Sequence, residues 1–216
     1  MEMRLYGYWR SSATYRVRIA LNLKQLHYSY VPVHLVKEGG GQHLAEYQKL
    51  NPAELVPTLV EEDGNVINQS LAIIEYLDEV YPELVSFLPV SPLAKAKVRT
   101  LVHDIACDIQ PLANLRVLQY LNTTLQCSDS QQKNWSKHWI ETGLKGIEQR
   151  LQSSAGRYCF GNEVSLADIY LVPQVYNALR FSLDLDNYPL IQLIYLNCNQ
   201  LAAFIAAKPE NQPDAE

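Results

Sequence analysis

The sequence predicts an α/β domain followed by an all-helical one. Three observations carry this. Strand, helix and strand signals follow one another within the first thirty or so residues, which is a βαβ unit with parallel strands. Two short strands around Asp63-Gly64-Asn65, and then a helix, complete a βαβ-ββα order. Beyond Pro92 the apolar residues keep only the helical period.

Residues 4–9 are short and aromatic, as a strand would be. Thr14 follows Ser11-Ser12 and opens a helix to Leu23, in which Val17, Ala20 and Leu21 form an apolar stripe with Ile19 and Leu23 beside it. Residues 28–33 read as the second strand. A weak helix over 44–50 follows the Gly39-Gly40-Gly41 loop. Residues 58–61 and 66–68 form a hairpin, and Ser70 is expected to cap a helix over 71–80 whose Ile73, Ile74 and Leu77 point inward. Residues 1–81 form the first domain. Residues 82–92, with Pro82, Pro89 and Pro92 and no periodicity, read as a linker. Residues 93–216 form the helical domain. There Pro111 should kink or end the helix carrying Val98, Leu101, Val102 and Ile105. Ser165-Leu166-Ala167-Asp168 reads as a capping box, and the polar tail over 209–216, with two prolines, as frayed.

A chain of 216 residues buries about 70% of its unfolded surface and needs no metal or disulfide staple. Eighteen basic against 23 acidic residues give a net charge of −5, which argues against nucleic acid as the main partner. A small anionic ligand needs only two or three local cations. Cys107, Cys127, Cys159 and Cys198 form no C-x-x-C pair and have no His at metal-ligand spacing, so no metal site is expected. Free thiols, no leader-like start and no apolar run of about 18 residues point to a cytoplasmic protein without a membrane span.

Ser11-Ser12-Ala13-Thr14 lies between a strand and a helix. Hydroxyls there serve as caps, but a helix N-terminus also attracts negative charge, and a hydroxyl can donate to a thiolate. Redox proteins of this βαβ-ββα shape carry C-x-x-C at that position. This site has no sulfur, so any thiol chemistry must use a sulfur brought by the ligand. Val56-Pro57 precedes the third strand. A cis bond would turn the Val56 backbone toward a peptide ligand, but only about 5–6% of X–Pro bonds are cis, so sequence alone does not support one. Gln69-Ser70 marks a second helix start able to hold a carboxylate. Two such sites in one domain suit a ligand with two separated negative groups. Arg10, Arg16, Arg18 and Arg180 are the available cations, though an isolated arginine is usually a surface residue. Arg180, ending an apolar helix just before Phe181, is the one most suited to a cleft. His103 and His138 read as structural, and Trp135 and Trp139, four apart, as helix packing.

These motifs resemble the glutathione S-transferase superfamily, and its zeta class in particular, over essentially the whole chain. The strongest piece runs from Ser11 to Leu21 and is similar to the class signature Ser-Ser-Cys-x-x-Arg-Val-Arg-Ile-Ala-Leu, with Ala13 in place of its Cys. Leu50-Asn51-Pro52, Val56-Pro57-Thr58-Leu59, residues 69–77, Asp108-Ile109-Gln110-Pro111-Leu112 and Leu171-Val172-Pro173-Gln174-Val175 match as well.

The resemblance implies a thioredoxin-like N-terminal domain, a helical C-terminal domain and a homodimer. It implies glutathione as cofactor and cis–trans isomerisation of maleylacetoacetate to fumarylacetoacetate, a step of tyrosine and phenylalanine breakdown. By resemblance Ser11 or Ser12 supports the glutathione thiolate beside Ala13. Val56 and Pro57 meet its cysteine backbone, and Gln69 and Ser70 hold its γ-glutamyl carboxylate. Gln42, Gln110 and Asn114 add contacts, while Arg10 and Arg180 face a diacid substrate. Maleylpyruvate as substrate and general conjugation of glutathione remain open. A binding module with a dead site is disfavoured by the intact Ser11, Gln69 and Ser70.

Overall fold

Leu5, at the middle of β1 (Arg4–Gly7), has no exposed surface. A strand flanked on both sides supplies that burial. With β2 (Ser29–Pro32), β3 (Thr58–Val60) and β4 (Val66–Asn68), β1 forms a four-stranded sheet in the order β2-β1-β3-β4. β2 is parallel to β1; β3 is antiparallel to both β1 and β4. The computed structural model describes residues 2–216. Contacts divide it into two units: one runs to Ser86 and takes in Leu201–Glu216, and the other is Phe87–Gln200.

In the first unit α1 (Ser12–Leu23) buries Val17, Ile19, Ala20 and Leu21 completely. Its approach to the sheet requires Gly7, because a Cβ there would lie 2.2 Å from the Thr14 methyl. Two short 3₁₀ turns and α2 (Ala45–Gln48) occupy the crossover to β3. In the β3–β4 hairpin the Glu61 N–H donates to the Asn65 carbonyl at 2.9 Å, and Gly64 takes φ 91°. The helix that follows, α3 (Ser70–Val80), packs Ile73, Ile74 and Leu77 inward and lies against α1. Ser70 is its first helical residue rather than its cap. Gln69 holds the cap position at φ 72° and makes no side-chain cap bond.

The polar tail is not frayed, and residues 201–216 do not join the helical unit as the sequence pattern suggests. α9 (Ala202–Ala207) packs on α1, and Asp214 accepts the Trp9 N–H at 3.0 Å. α9 docks through the buried Phe204 and Ala207, whereas residues 214–216 are held by polar contacts, so their composition carries no apolar signal of docking. The stretch 82–92 is also tied down. Lys24 Nζ donates to the carbonyls of Tyr81 and Val85 at 3.3 and 2.9 Å, and Phe87 is buried.

The second unit contains α4 (Pro92–His103), a π-helical segment Asp104–Ile109, a 3₁₀ turn Gln110–Ala113 and α5 (Leu115–Thr123). The regular helix ends before Pro111, which sits inside the 3₁₀ turn. α6 (Asp129–Leu151), α7 (Leu166–Arg180) and α8 (Pro189–Cys198) complete it. Trp135 and Trp139 pack edge to face at 5.7 Å, and Trp135 Nε1 donates to the Leu112 carbonyl at 2.7 Å. His103 Nδ1 lies 2.7 Å from the Arg99 carbonyl. α7 opens on the expected capping box: the buried Asp168 carboxylate accepts from the Ser165 N–H, the Ser165 hydroxyl and the Cys159 N–H. Among the described residues no helix is long and apolar enough to cross a membrane, and no His, Cys, Asp and Glu cluster could hold a metal ion.

Candidate active site

The sheet register gathers the candidate residues of the first unit at one end. Tyr6 pairs with Thr58, and Thr58 with Asn68. β1 and β4 therefore end where β3 begins. β2 ends there too, with Pro32 opposite Gly7. The chain leaving β1 becomes Arg10 to Ala13, and the chain entering β3 is Val56-Pro57. The chain leaving β4 is Gln69-Ser70, and the chain leaving β2 leads to Gln42.

Ser11 is the N-cap of α1. Its Oγ accepts the Thr14 N–H at 3.2 Å, and its own N–H donates to the Tyr8 carbonyl at 3.0 Å. A hydroxyl that accepts at a cap keeps its hydrogen to donate elsewhere. Ser12 and Ala13 are the first two helical residues, both half-buried, and Ala13 presents a methyl group. Neither α1 nor α3 carries an acidic residue in its first turn, so no side-chain carboxylate competes for the positive ends of those helices.

The Val56–Pro57 bond is cis, a feature that the sequence alone does not support. Val56 lies two residues before the ladder, which starts at Thr58. The segment leading to it is held by side chains. Tyr47 Oη and Asn51 Nδ2 both donate to the Leu55 carbonyl at 2.7 Å. Thr58 Oγ1 donates to Asn68 Oδ1 at 2.6 Å, and Asn68 Nδ2 donates back to the Leu50 carbonyl at 3.1 Å. Burial pushes the Tyr47 phenol up to about 12, against hydrogen bonds that lower it.

Gln69 is a non-glycine residue at positive φ, a conformation that costs on the order of 1–3 kcal/mol and points to a functional constraint. Its side chain is exposed, while Ser70 is buried and accepts from Arg16 Nη1 at 3.4 Å. Gln42 is buried too. Its Nε2 donates to the Leu35 carbonyl at 3.2 Å, but Oε1 is buried with no hydrogen-bond partner. Gly40 beside it takes φ 95°, a conformation that favours glycine, and a Cβ there would also fall within 2.6–2.9 Å of that amide group.

The other candidates occupy defined local positions. Arg10 lies 5.3 Å from the Trp9 ring centroid. In the second unit Gln110 opens the 3₁₀ turn, and Asn114 caps α5 by accepting the Arg116 N–H at 3.2 Å. Arg180 ends α7, donates from Nη1 to Asn177 Oδ1 at 3.0 Å and lies 5.8 Å from the Phe181 ring centroid.

Two arginines depart from the surface expectation: Arg16 and Arg18 are buried at 2% and 0% exposure. Arg18 donates from Nη2 to the Trp9 carbonyl at 2.9 Å and from Nε to the Ala207 carbonyl at 3.0 Å. Sequence patterning gives little sign of this, since both partners are backbone atoms. The one signal is the spacing: Arg16 and Arg18 fall within the apolar run 15–21, not on a polar face.

The glutathione S-transferase N-terminal domain family matches residues 5–84. A Vibrio cholerae protein named "probable maleylacetoacetate isomerase" is 54% identical over 216 residues, all of this chain and 99% of that one. The holo structure of maleyl pyruvate isomerase, a bacterial zeta-class glutathione S-transferase, superposes with a TM-score of 0.94 at 42% identity. It covers 99% of this chain and all of that one. The glutathione-bound maleylacetoacetate isomerase of Anaeromyxobacter dehalogenans is 41% identical with a TM-score of 0.89, covering 100% and 98%. A thioredoxin-like domain with a thiol-free, serine-capped helix, continued by a helical unit, defines a glutathione S-transferase, and the chain belongs to the zeta class of that family. The relatives reported above are named as isomerases of maleyl diacids.

Proposed function

We propose that this chain is a glutathione-dependent cis–trans isomerase that converts maleylacetoacetate to fumarylacetoacetate. One observation carries the reading: two helix N-termini without acidic residues, Ser11 on α1 and Ser70 on α3, open at the same end of one sheet. The residues fit glutathione, because the buried Gln42 Oε1 is an acceptor awaiting a donor and both helix ends supply donors for anions. Val56, Gln69, Ser70 and Gln42 hold the tripeptide; Gln110 and Asn114 are further candidates that the family resemblance names.

Bound glutathione supplies a thiolate whose reversible addition turns the substrate's double bond into a single bond that can rotate. A free thiol near pKa 8.5 is only a few per cent ionised at neutral pH. Lowering it by about two units takes roughly 2.7 kcal/mol of preferential stabilisation. The Ser11 hydroxyl, already oriented by the Thr14 N–H, donates to the sulfur. The first turn of α1, including Ser12 and Ala13, adds its N-terminal field. Ala13 offers no sulfur of its own, so the thiol comes with the cofactor. Arg10 and Arg180 pair with the substrate carboxylates, and Arg180 stabilises negative charge developing on the substrate carbonyl.

Maleylpyruvate is the second reading, favoured by the close superposition on the maleyl pyruvate isomerase. We place the enzyme in the cytoplasm as a homodimer. The four cysteines are unpaired, and apolar Val80 of α3 and Leu93 of α4 are exposed. The test is a paired assay on maleylacetoacetate and maleylpyruvate, with and without glutathione, alongside a thiol titration. Turnover should require glutathione and consume none. Activity in glutathione-free buffer would overturn the mechanism, and faster turnover of maleylpyruvate would reassign the substrate.

A further inference from the structure

The Tyr8–Ser11 turn that delivers Ser11 to α1 is gripped from outside the site. The Trp9 N–H donates to Asp214 Oδ2 at 3.0 Å, and the Trp9 carbonyl accepts from Arg18 Nη2 at 2.9 Å. The Ser11 N–H closes the turn on the Tyr8 carbonyl at 3.0 Å. Asp214 thus holds the backbone one residue into a turn whose last residue is Ser11, and Arg18 holds the same residue on its other side.

The tail that carries Asp214 is tied down in several places. Tyr30 Oη, on β2, donates to Asp214 Oδ2 at 3.4 Å. Glu216 pairs with Lys37 and, at 3.1 Å, with His34, both in the segment that leads to Gln42. The His34 ring meets the Tyr8 ring edge to face at 5.0 Å. Arg18 Nε holds the end of α9 at Ala207. Burial lowers the pKa of Arg18, and Tyr30, Tyr28 and Tyr15, followed by Asp214, oppose this effect. The tail therefore joins two of the chain segments that make the site, the one after β1 and the one after β2.

We propose that Asp214 is a positioning residue: through the Trp9 amide, and with Arg18 on the opposite carbonyl, it fixes the Tyr8–Ser11 turn and so the aim of the Ser11 hydroxyl. This rests on the reading of Ser11 as the donor to the thiolate. A carboxylate accepting a backbone N–H is a charge-assisted bond, and at a partly enclosed site its loss frees the turn. Asn keeps an oxygen acceptor of the same reach; Ala does not.

The test compares Asp214→Ala, Asp214→Asn and Ser11→Ala in the chain of residues 1–216. Amide hydrogen exchange of Trp9, Arg10 and Ser11 is read without glutathione, and ultraviolet absorbance of the bound thiolate with it. Asp214→Ala should speed exchange at Trp9 by about tenfold or more. It should also lower the thiolate absorbance and reduce kcat with little change in KM for the diacid. Asp214→Asn should restore most of both. Unchanged exchange and absorbance in Asp214→Ala, measured well below its melting temperature, would overturn the proposal even if the variant melts earlier. So would equal defects in the Ala and Asn variants. If Ser11→Ala leaves the thiolate absorbance intact, the reading of Ser11 fails, while the exchange data still report on whether the tail holds the turn.

Discussion

Arg16 reaches from the second turn of α1 to the first residue of α3, where its Nη1 donates to Ser70 Oγ at 3.4 Å from a side chain only 2% exposed. A buried cation thus stands behind the hydroxyl assigned to the γ-glutamyl carboxylate. It adds positive charge to a helix end that is already electropositive. Ser70→Ala should raise KM for glutathione about tenfold and leave kcat nearly unchanged, as expected for one hydrogen bond of uniform binding. Steady-state kinetics with glutathione as the varied component measures this, and an unaltered KM would move the carboxylate elsewhere.

Ser11 has two duties that substitution can separate. Ser11→Ala removes the cap on Thr14 and should destabilise the protein by about 1 kcal/mol, whereas Ser11→Gly should cost only a few tenths. Both lose the donor, so both should cut turnover by about 10²-fold and raise the thiol pKa of bound glutathione. Ser12→Ala should do less on each count. Thermal melts and thiolate absorbance on the same samples decide the matter, and a larger defect in Ser12→Ala would exchange the two roles.

Arg180 is held at the end of α7 by Asn177 and stands against the Phe181 ring. An arginine that meets a carboxylate in a fork is not replaced by lysine. Arg180→Ala should weaken the maleyl diacid by about 1.5–3 kcal/mol in kcat/KM. A neutral aryl halide has no carboxylate and should be conjugated at an unchanged rate. Equal losses on the two substrates would make Arg180 structural.

The four thiols should differ sharply in reactivity. Cys107 is exposed, whereas Cys159 and Cys198 are buried. Burial raises both buried thiols, and Asp168 nearby raises them further. A raised pKa means less thiolate at any given pH, and the thiolate is the reactive form. Alkylation of the native protein near neutral pH, followed by peptide mass mapping, should mark Cys107 first and leave Cys159 and Cys198 unmarked until denaturant is added.

Tyr47 should contribute to a loss of stability at alkaline pH. Its phenol is pushed up to about 12 in the fold, from an ordinary value of 10.0. The native state therefore binds the proton more tightly than the unfolded chain does. The contribution is complete below about pH 10 and is lost as pH rises through the folded value, at up to about 1.4 kcal/mol per pH unit. Urea midpoints across this range should fall less steeply for Tyr47→Phe than for the unaltered protein.

The strand and helix order was readable because each element carries its own period, and the hairpin because Asp63-Gly64-Asn65 allows little else. The grouping of Ser11, Val56 and Gln69 follows from that order, since antiparallel neighbours share an end. What escaped the sequence depends on single long-range polar contacts. Arg18 is buried because a backbone carbonyl 189 residues away receives it. The tail docks through Asp214 and Glu216, which in composition look like any solvated end. Gln69 rather than Ser70 occupies the cap position, at a positive φ that no local residue type marks. The cis bond at Pro57 has no local mark distinguishing it from a trans one.

The hairpin at residues 61–65 lies where β3 ends and β4 begins, the opposite end of the sheet from the Ser11 and Ser70 helix starts. Residues 62–66 there are exposed, and the turn closes on its own backbone. That makes it a handle for instrumentation. In a background with Cys107→Ser and Cys127→Ser, Glu62→Cys would take a fluorophore or a surface linker at the end of the sheet away from Ser11 and Ser70, so the enzyme could be immobilised in one orientation for single-molecule or biosensor work.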